Sequence, residues 1–361
     1  MSRSHNHIRS PPSCPENRSE SENQWVTLQP YLQAQGYQLR PRYHPKWVPS
    51  WHSGSKIKDY RDCEDSISSS HGHLIDAIKL RTGEQVAIKM LDSAVDDKIW
   101  VDQYELLRYF SSSSTRKEVS NNVVPFKDGF SVPGFNKIRF VAMPLLSPYR
   151  YPPFYSLEEI QNFLIQVIEG IMFMHAHNVT HGDIRGTNIM MDSHHLYTEP
   201  VHPVDRKRSV DFQRAVRPRF RRCQVDIRYY LTGLKYATWF RDHHAQKFIK
   251  DRPLPNRAPA PEQKPGRLYD PFAVDVYQLG YMLRVELIPS IPQLEFLLPL
   301  AGLMTERDPA KRPSLKYAIQ FIKSEFTRMW NFQKQWPLIP PGQPVAQLFD
   351  YFIPIGHHPS T

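Results

Sequence analysis

Asp183 and Asn188 lie five positions apart in the segment Thr180-His-Gly-Asp-Ile-Arg-Gly-Thr-Asn-Ile-Met-Met-Asp192. An aspartate can accept the proton of a hydroxyl that attacks a phosphoryl group, and an asparagine at this spacing can hold a metal ion that bridges phosphates. Arg185 lies between them, where it can contact the transferred group. The plainer alternative is a helix-ending loop that contains these residue types by accident. The pattern predicts phosphoryl transfer, with Asp183, Arg185 and Asn188 as catalytic residues and Asn188 also as a metal ligand.

A second candidate is Lys89, which ends the run Val86-Ala-Ile-Lys89 on a predicted strand. A lysine that projects from a strand at this point can contact the α- and β-phosphate oxygens of a nucleotide. The alternative is a solvated lysine on an edge strand. Taken with the first segment, Lys89 is predicted to anchor a nucleotide.

These residues together resemble the eukaryotic protein kinase superfamily. The kinase catalytic loop has the pattern His-Arg-Asp-x-Lys-x-x-Asn, which corresponds to His181 to Asn188 here, and a basic residue two positions after the aspartate is typical of the Ser/Thr-directed class. Three later segments match the family in the right order, and the matches extend over about residues 70–325: Ala260-Pro-Glu262, Asp275-Val-Tyr-Gln-Leu-Gly280, and Leu303 to Ser314.

The resemblance implies a bilobal α+β fold, with a small antiparallel sheet lobe carrying one helix and a larger, mostly helical lobe. It also implies ATP and Mg²⁺ as cofactors. It assigns roles to further residues: Glu105 pairs with Lys89, Met143 and Leu145 contact the nucleotide, Asp275 and His181 support the catalytic loop, and Glu262 pairs with Arg312.

Within the superfamily the chain is similar to a divergent group of kinase-like proteins from mushroom-forming, basidiomycete-type fungi. The segments that carry this similarity are Gly36-Tyr-Gln-Leu-Arg-Pro-Arg-Tyr43, Trp47-Val-Pro-Ser-Trp51, and Asn188 to Asp192 before a long basic insert.

Three departures from the kinase pattern bear on activity. The glycine-rich loop should fall at Ile67-Ser-Ser-Ser-His-Gly72, where only Gly72 remains. Gly182 replaces the arginine of His-Arg-Asp, so control by phosphorylation of the activation segment is not expected. The metal-binding aspartate of Asp-Phe-Gly is also missing: it should follow the apolar strand Ile227 to Leu231, and positions 229–236 contain no acid. Asp211, followed by Phe212, is an alternative, but a basic run precedes it and loss of the aspartate is favoured.

Three functions remain open at this point. The first is a protein-kinase-like domain of Ser/Thr type that binds ATP but is catalytically impaired, acting through protein contacts. The second is an active, atypical Ser/Thr protein kinase that transfers the γ-phosphoryl group of ATP to protein hydroxyls. The third is a small-molecule phosphotransferase, because His-Gly-Asp-x-x-x-x-Asn also resembles the catalytic loop of aminoglycoside and choline kinases.

The elements that must position these residues follow from apolar periodicity. A hairpin is predicted over 73–80 and 84–91, a helix over about 97–111, and strands over 123–130 and 137–143. Helices are predicted from 156 and over about 271–287, 291–304 and 314–329. The domain boundaries predicted from these patterns are: a disordered tail 1–23, an aromatic-rich extension 24–64 that docks on the folded body, a small lobe 65–146, a large lobe 147–330 with a basic insert 193–226, and a Pro-rich tail 331–361.

Composition constrains partners and compartment only weakly. The chain of 361 residues carries a net charge of +10, part of which lies in the run Arg206-Lys-Arg208 and the arginines that follow it. A solvated flexible loop is the preferred interpretation of this run, so nucleic acid is not expected as a partner. The expected partners are a nucleotide and a protein substrate or protein partner.

The three cysteines lack metal or disulfide spacing, and no apolar run is long enough to span a membrane. An intracellular location, cytoplasmic or nuclear, is predicted.

Overall fold

A computed structural model describes residues 15–52, 59–69, 72–92, 102–132, 134, 138–242, 246–251 and 259–338. The fold is α+β and divides into two compact units, each of which is described by itself. The first unit comprises Met1–Leu91, Phe130–Leu145 and Glu199–Val216. The second comprises Asp92–Gly129, Leu146–Thr198 and Arg217–Thr361.

The first unit is built on a curled antiparallel sheet in the order β1-β2-β3-β5-β4. Its strands are β1 (Tyr37–Gln38), β2 (Leu74–Lys79), β3 (Glu84–Asp92), β4 (Asp128–Ser131) and β5 (Ile138–Pro144). The predicted hairpin is present: β2 and β3 pair antiparallel from Leu74 opposite Lys89 to Lys79 opposite Glu84. Gly83, at φ +71°, provides the left-handed turn residue between them.

Helix α1 (Glu20–Ala34) packs on this sheet and contributes Trp25 and Leu32 to the same apolar core as Ile88 and Phe140. The aromatic extension therefore docks as the sequence predicts. The helix begins inside the segment predicted to be disordered, because Ser19 and Glu22 form a capping box at its start. The part of that predicted tail before residue 15 lies outside the described residues.

The second unit is mainly helical. Its helices are α2 (Gln103–Phe110), α3 (Leu157–Ala176), α4 (Pro271–Met282), α5 (Leu298–Met304), α6 (Leu315–Thr327) and α7 (Asn331–Gln335). Its short strands are β6 (Ser147–Pro148), β7 (Val179–Thr180), β8 (Ile189–Asp192), β9 (Arg228–Leu231) and β10 (Thr238–Trp239). A π-helical turn, Leu283–Leu287, continues α4. Within the described residues, no helix is both long enough and apolar enough to cross a membrane.

The predicted boundaries need four corrections. Helix α2, assigned from the sequence to the small lobe, groups with the second unit. The strand predicted from 123 begins only at Asp128, since Val123 instead forms an isolated bridge with Leu231. Helix α7 lies within the predicted Pro-rich tail, whose residues after 338 are outside the described part of the chain.

The fourth correction concerns the basic insert 193–226, which was predicted to be a solvated loop. Its residues 199–216 group with the first unit, where the buried His202 places Nε2 3.3 Å from Glu64 Oε1. Its later part belongs to the second unit, where Arg222 is buried and donates to the Tyr149 carbonyl at 2.7 Å and the Tyr229 hydroxyl at 2.9 Å. These partners replace the water that a buried guanidinium would otherwise require.

Candidate active site

The catalytic loop lies between β7 and β8 in the second unit, and it brings Asp183, Arg185 and Asn188 together. Asn188 Nδ2 donates to Asp183 Oδ2 at 2.7 Å and to the Asp183 carbonyl at 2.8 Å. Arg185 Nε lies 3.1 Å from the same carboxylate oxygen. Asp183 is 2% exposed, so the hydrogen bond from the Asn188 amide and the ion pair with Arg185 fix the direction of a carboxylate that has little contact with water.

His181 is fully buried behind this carboxylate. The Asp183 backbone N–H donates to His181 Nδ1 at 3.2 Å, so Nδ1 is the acceptor nitrogen and Nε2 carries the proton that is donated to the Thr232 carbonyl at 2.8 Å. Burial lowers the pKa of His181, although Asp275 and Asp183 act in the opposite direction. The imidazole is therefore a neutral link between the catalytic loop and the residue after β9.

Helix α4 holds the backbone of the catalytic loop from the other side. Asp275, fully buried, accepts the N–H groups of His181 and Gly182, both at 2.8 Å, and also contacts His175 Nε2 at 2.8 Å. Gln278 accepts the Ile184 N–H and donates to the Gly182 carbonyl, again at 2.8 Å each. The sequence pointed to Asp275 but missed Gln278. Its position three residues later on the same helix was the available signal, because residues at this spacing share a face.

Gly182 is explained by its backbone. Its φ is +75°, a left-handed conformation that other residues rarely adopt, and a Cβ there would overlap the carbonyl oxygen of Tyr236. An arginine at this position, as in the usual kinase loop, would therefore require the backbone on both sides to move.

The end of β9 lies against Asn188, the predicted metal ligand. Strand β8 pairs with β9 so that Ile189 faces Leu231, which brings the next residue, Thr232, against Asn188. The Thr232 N–H and hydroxyl both donate to the Asn188 carbonyl, at 2.8 and 3.0 Å. Gly233 has φ +75°, and a Cβ there would lie 2.5 Å from Asn188 Oδ1. Threonine and glycine thus lie next to Asn188, in a stretch, 229–236, that contains no acid.

The alternative metal ligand, Asp211, lies in the first unit and not at the end of a strand. Its carboxylate is exposed and accepts bonds from Ser209 Oγ at 2.5 Å and the Gln213 N–H at 3.2 Å. The hydrogen bond from the Ser209 hydroxyl is the main cause that lowers the pKa of Asp211, and the bond from the Gln213 backbone N–H adds to it. Asp211 therefore closes a local turn, which is the ordinary role of aspartate in such a loop.

The predicted nucleotide residues lie in the first unit. Lys89 is half-buried on β3 between the buried side chains of Ile88 and Met90, Met143 is buried on β5, and Leu145 is half-buried just after β5. Their common site with Asn188 stays a prediction.

The extension holds the segment that stands in place of the glycine-rich loop. Arg40 Nη1 donates to the Ile67 carbonyl at 2.7 Å, the Ser69 N–H donates to the Tyr43 hydroxyl at 2.8 Å, and Trp25 Nε1 donates to the Gly72 carbonyl at 3.0 Å. Two of these contacts use the backbone polar groups of the segment as acceptors, so the described part of this segment is fixed by side chains. Residues 70 and 71 lie outside the described part.

Glu105 has a partner that the sequence did not predict. Its carboxylate, on α2, forms an ion pair with Arg241, and both side chains are half-exposed or more. Nearby, the ring of Tyr109 on the same helix packs at a tilt of 41° against Trp239, with 4.6 Å between ring centroids, and the Tyr109 hydroxyl lies 2.7 Å from His177 Nδ1. The pairing of Glu105 with Lys89 stays a prediction.

Glu262 and Arg312 form the ion pair that the sequence predicted. The two guanidinium nitrogens lie 2.6 and 2.7 Å from the two carboxylate oxygens, and the side chains are 1% and 13% exposed for Arg312 and Glu262. Arg312 also donates to the carbonyls of Glu306 and Ala273, both at 2.9 Å. Such a buried, bidentate pair is a structural element that is costly to break from one side.

Comparison with known proteins agrees with this geometry. Residues 68–201 match the family described as protein kinase domain, a segment that contains β2, β3 and the catalytic loop. Over 136 residues the chain is 29% identical to Mitogen-activated protein kinase 1 of Oryza sativa subsp. japonica and 27% identical to Mitogen-activated protein kinase 6 of Arabidopsis thaliana. Each match covers 34% of this chain and 32% of the relative, so the chain spans about a third of the length of these proteins.

The matched segment carries the sheet hairpin with Lys89 and the loop that joins Asp183 to Asn188. Beyond it, Asp275 accepts two backbone N–H groups of the loop, and Glu262 pairs with Arg312. Residues 68–201 therefore match the protein kinase domain, and the two partial relatives support the eukaryotic protein kinase superfamily for this part of the chain.

Proposed function

We propose that this chain is a protein-kinase-like domain of Ser/Thr type that binds ATP through Lys89 and is impaired in magnesium-dependent phosphoryl transfer. The observation that supports this proposal is the surroundings of Asn188, where Thr232 and Gly233 lie and where the kinase resemblance implies a metal-binding carboxylate. The Ser/Thr assignment rests on Arg185, two residues after Asp183, and on the partial similarity to two mitogen-activated protein kinases.

The residues around Asn188 fit a magnesium ion poorly. Magnesium requires near-octahedral oxygen ligands and is usually held by one or two carboxylates together with phosphate oxygens. Thr232 offers only an uncharged hydroxyl and Gly233 has no side chain, so neither supplies a carboxylate beside Asn188. In the described part of the chain, no group of three or more His, Cys, Asp or Glu side chains is arranged to hold a metal ion. Loss of one preorganised electrostatic group costs about 3–4 kcal/mol in the transition state, or roughly several hundredfold in rate.

The groups that handle the proton are retained. Asp183 points toward Asn188 and Arg185, and it can accept the proton of an attacking hydroxyl. Arg185 has a side chain that is 37% exposed, so its guanidinium can contact a phosphoryl group while it pairs with Asp183. This arrangement favours an active atypical kinase as the second candidate. A small-molecule phosphotransferase fits less well, because the Glu262–Arg312 pair and the Asp275 contacts follow the protein kinase pattern.

The decisive experiment replaces the residue at the end of β9. Thr232 is half-buried, so Thr232→Asp places a carboxylate beside Asn188, and Thr232→Asn is the uncharged control of the same shape. We expect autophosphorylation or phosphorylation of a generic basic protein to rise by at least about a hundredfold in Thr232→Asp with Mg-ATP, and not in Thr232→Asn. Equal, high activity in the wild type and Thr232→Asp would instead establish the second candidate.

Nucleotide binding is tested separately from catalysis. A thermal-shift titration with ATP should stabilise the wild type with little dependence on Mg²⁺, and Lys89→Ala should abolish the shift. Lys46→Ala, an exposed lysine of the same unit, is the control. A strong magnesium requirement would contradict the absence of a metal-binding carboxylate. For any transfer activity observed, Asp183→Asn should remove it, and activity that persists would exclude Asp183 as the proton acceptor.

A further inference from the structure

Glu286 contacts the catalytic loop at a point that the usual kinase motifs do not cover. The Gly186 N–H, midway between Asp183 and Asn188, donates to Glu286 Oε2 at 3.0 Å. The approach is close: a Cβ on Gly186 would lie 2.5 Å from the same carboxylate oxygen and 3.1 Å from the Tyr149 ring. Glycine at position 186 is therefore what allows this carboxylate to reach the backbone of the loop.

Glu286 is itself held on an unusual piece of helix. It lies in the π-helical turn Leu283–Leu287 that continues α4, and single π-turns of this kind occur frequently at functional sites. Arg150 donates to the Glu286 carbonyl at 2.8 Å, and its Nη2 lies 4.0 Å from Glu286 Oε2. Arg150 Nε also donates to the hydroxyl of Tyr149, whose ring is buried and stacks on Phe163 with 4.5 Å between centroids. The carboxylate is thus oriented by charge and by packing before it meets the loop.

Together with α4, Glu286 completes a series of contacts along one stretch of backbone. Asp275 holds the N–H groups of residues 181 and 182, Gln278 holds the carbonyl of 182 and the N–H of 184, and Glu286 holds the N–H of 186. The N–H groups of residues 184 and 186 both lie between Asp183 and Asn188, whose side chains meet, and Glu286 holds the one nearer to Asn188.

We propose that Glu286 is a positioning residue for the catalytic loop: it fixes the backbone at Gly186 and so sets the distance from Asp183 to the Asn188 amide. The proposal deepens the kinase-like function and rests on it, but it is a statement about geometry that does not require transfer activity. Glu286 acts through the backbone and contacts neither the proton acceptor nor the metal ligand directly.

The test uses the full chain and three variants. Glu286→Ala removes the acceptor, Glu286→Gln keeps an oxygen of the same shape without the charge, and Glu295→Ala removes an exposed acid nearby as the control. Hydrogen exchange of the peptide that covers residues 180–192 should be at least about tenfold faster in Glu286→Ala, close to wild type in Glu286→Gln, and unchanged in Glu295→Ala. The melting temperature should fall by less than about 4 °C in all three variants.

A spectroscopic signal then separates positioning from a merely structural role. With ¹⁵N-asparagine labelling, the side-chain amide of Asn188, identified by its loss in Asn188→Asp, should shift or broaden in Glu286→Ala and return in Glu286→Gln. An Asn188 signal that is unchanged in Glu286→Ala would overturn the proposal. The proposal would also be overturned if Glu286→Gln changed the hydrogen exchange and the Asn188 signal as much as Glu286→Ala does. The same holds if Glu295→Ala sped up hydrogen exchange of residues 180–192 equally. Because none of these measurements uses activity, an inactive wild type would leave the test intact, and a negative result would not bear on the proposed function.

Discussion

The catalytic loop and the end of β9 meet at Asn188, and they are held in different ways. The backbone of the loop from His181 to Gly186 is bonded to three side chains of α4 and the turn that follows it. The end of β9 is bonded through backbone groups, the Thr232 hydroxyl, and the His181 imidazole, which donates to the Thr232 carbonyl. The loop that carries Asp183, the proposed proton acceptor, is therefore held by specific side chains, whereas the end of β9 contains no acid at positions 229–236 and keeps its strand pairing with β8. Under the proposed function, one half of the site keeps its geometry while the other half has changed its chemistry.

The largest effect is expected where the loop depends on a single buried carboxylate. Asp275→Ala leaves the N–H groups of His181 and Gly182 buried without their acceptor, which should cost about 3–5 kcal/mol of unfolding free energy. Chemical denaturation measures this loss, with Glu295→Ala as an exposed control. A cost below about 1 kcal/mol would show that the loop is not held more firmly than the end of β9.

The next effect concerns the conformation of the loop at Gly182. Gly182→Ala should cost about 2–3 kcal/mol, because it combines a left-handed φ with a clash against the Tyr236 carbonyl. Gly83→Ala is the matched control, since Gly83 has a similar φ of +71° but no atom within 4 Å of the added Cβ. The difference between the two variants in urea denaturation isolates the clash, and equal costs would contradict it.

A third prediction concerns pH and the neutral His181 that connects the two regions. Burial lowers its pKa in the folded state, so the unfolded state binds more protons below the usual histidine pKa of about 6.5. Its contribution to stability is fully present above that pH and is lost as the pH falls from there toward the folded-state pKa, with a slope of at most about 1.4 kcal/mol per pH unit. His181→Gln should flatten the stability profile between pH 7 and 5. If His195→Gln, an exposed control, flattens it equally, then His181 is not the group responsible.

The smallest effect is expected at the end of β9. Thr232→Val keeps the branched shape and removes only the hydroxyl that donates to the Asn188 carbonyl, at a cost of about 1 kcal/mol. Denaturation under the conditions used for Asp275→Ala allows a direct comparison. A loss as large as that of Asp275→Ala would remove the contrast between the two regions.

Sequence reasoning worked best where function depends on residues close together in the chain. The spacing of Asp183, Arg185 and Asn188 predicted that they would meet, and a short loop before β8 gives them little freedom to do otherwise. The β2–β3 hairpin with Lys89 followed equally directly from two apolar runs and a turn. The absence of an acid after β9 was also visible in the sequence, because positions 229–236 contain neither Asp nor Glu, whichever of them ends the strand.

It failed where a contact joins distant parts of the chain. Helix α1 was missed because its start is polar and its apolar face becomes evident only against the sheet, where Trp25 lies 6.0 Å from Phe140 between ring centroids. The insert was predicted to be solvated because its arginines are dense, yet Arg222 is buried among carbonyl groups that no local pattern reveals. Glu105 likewise met Arg241, which is 136 positions away.

The sequence by itself determined which chemical groups are present in the catalytic loop and which one is missing after β9, because both follow from residue types in fixed local order. Only the tertiary structure decided that Thr232 and Gly233 are what lies beside Asn188, and that Gln278 and Glu286 hold the loop in place. These contacts join residues about 40 to 100 positions apart, and their partners are chosen by how the helices and strands pack, which no local spacing encodes.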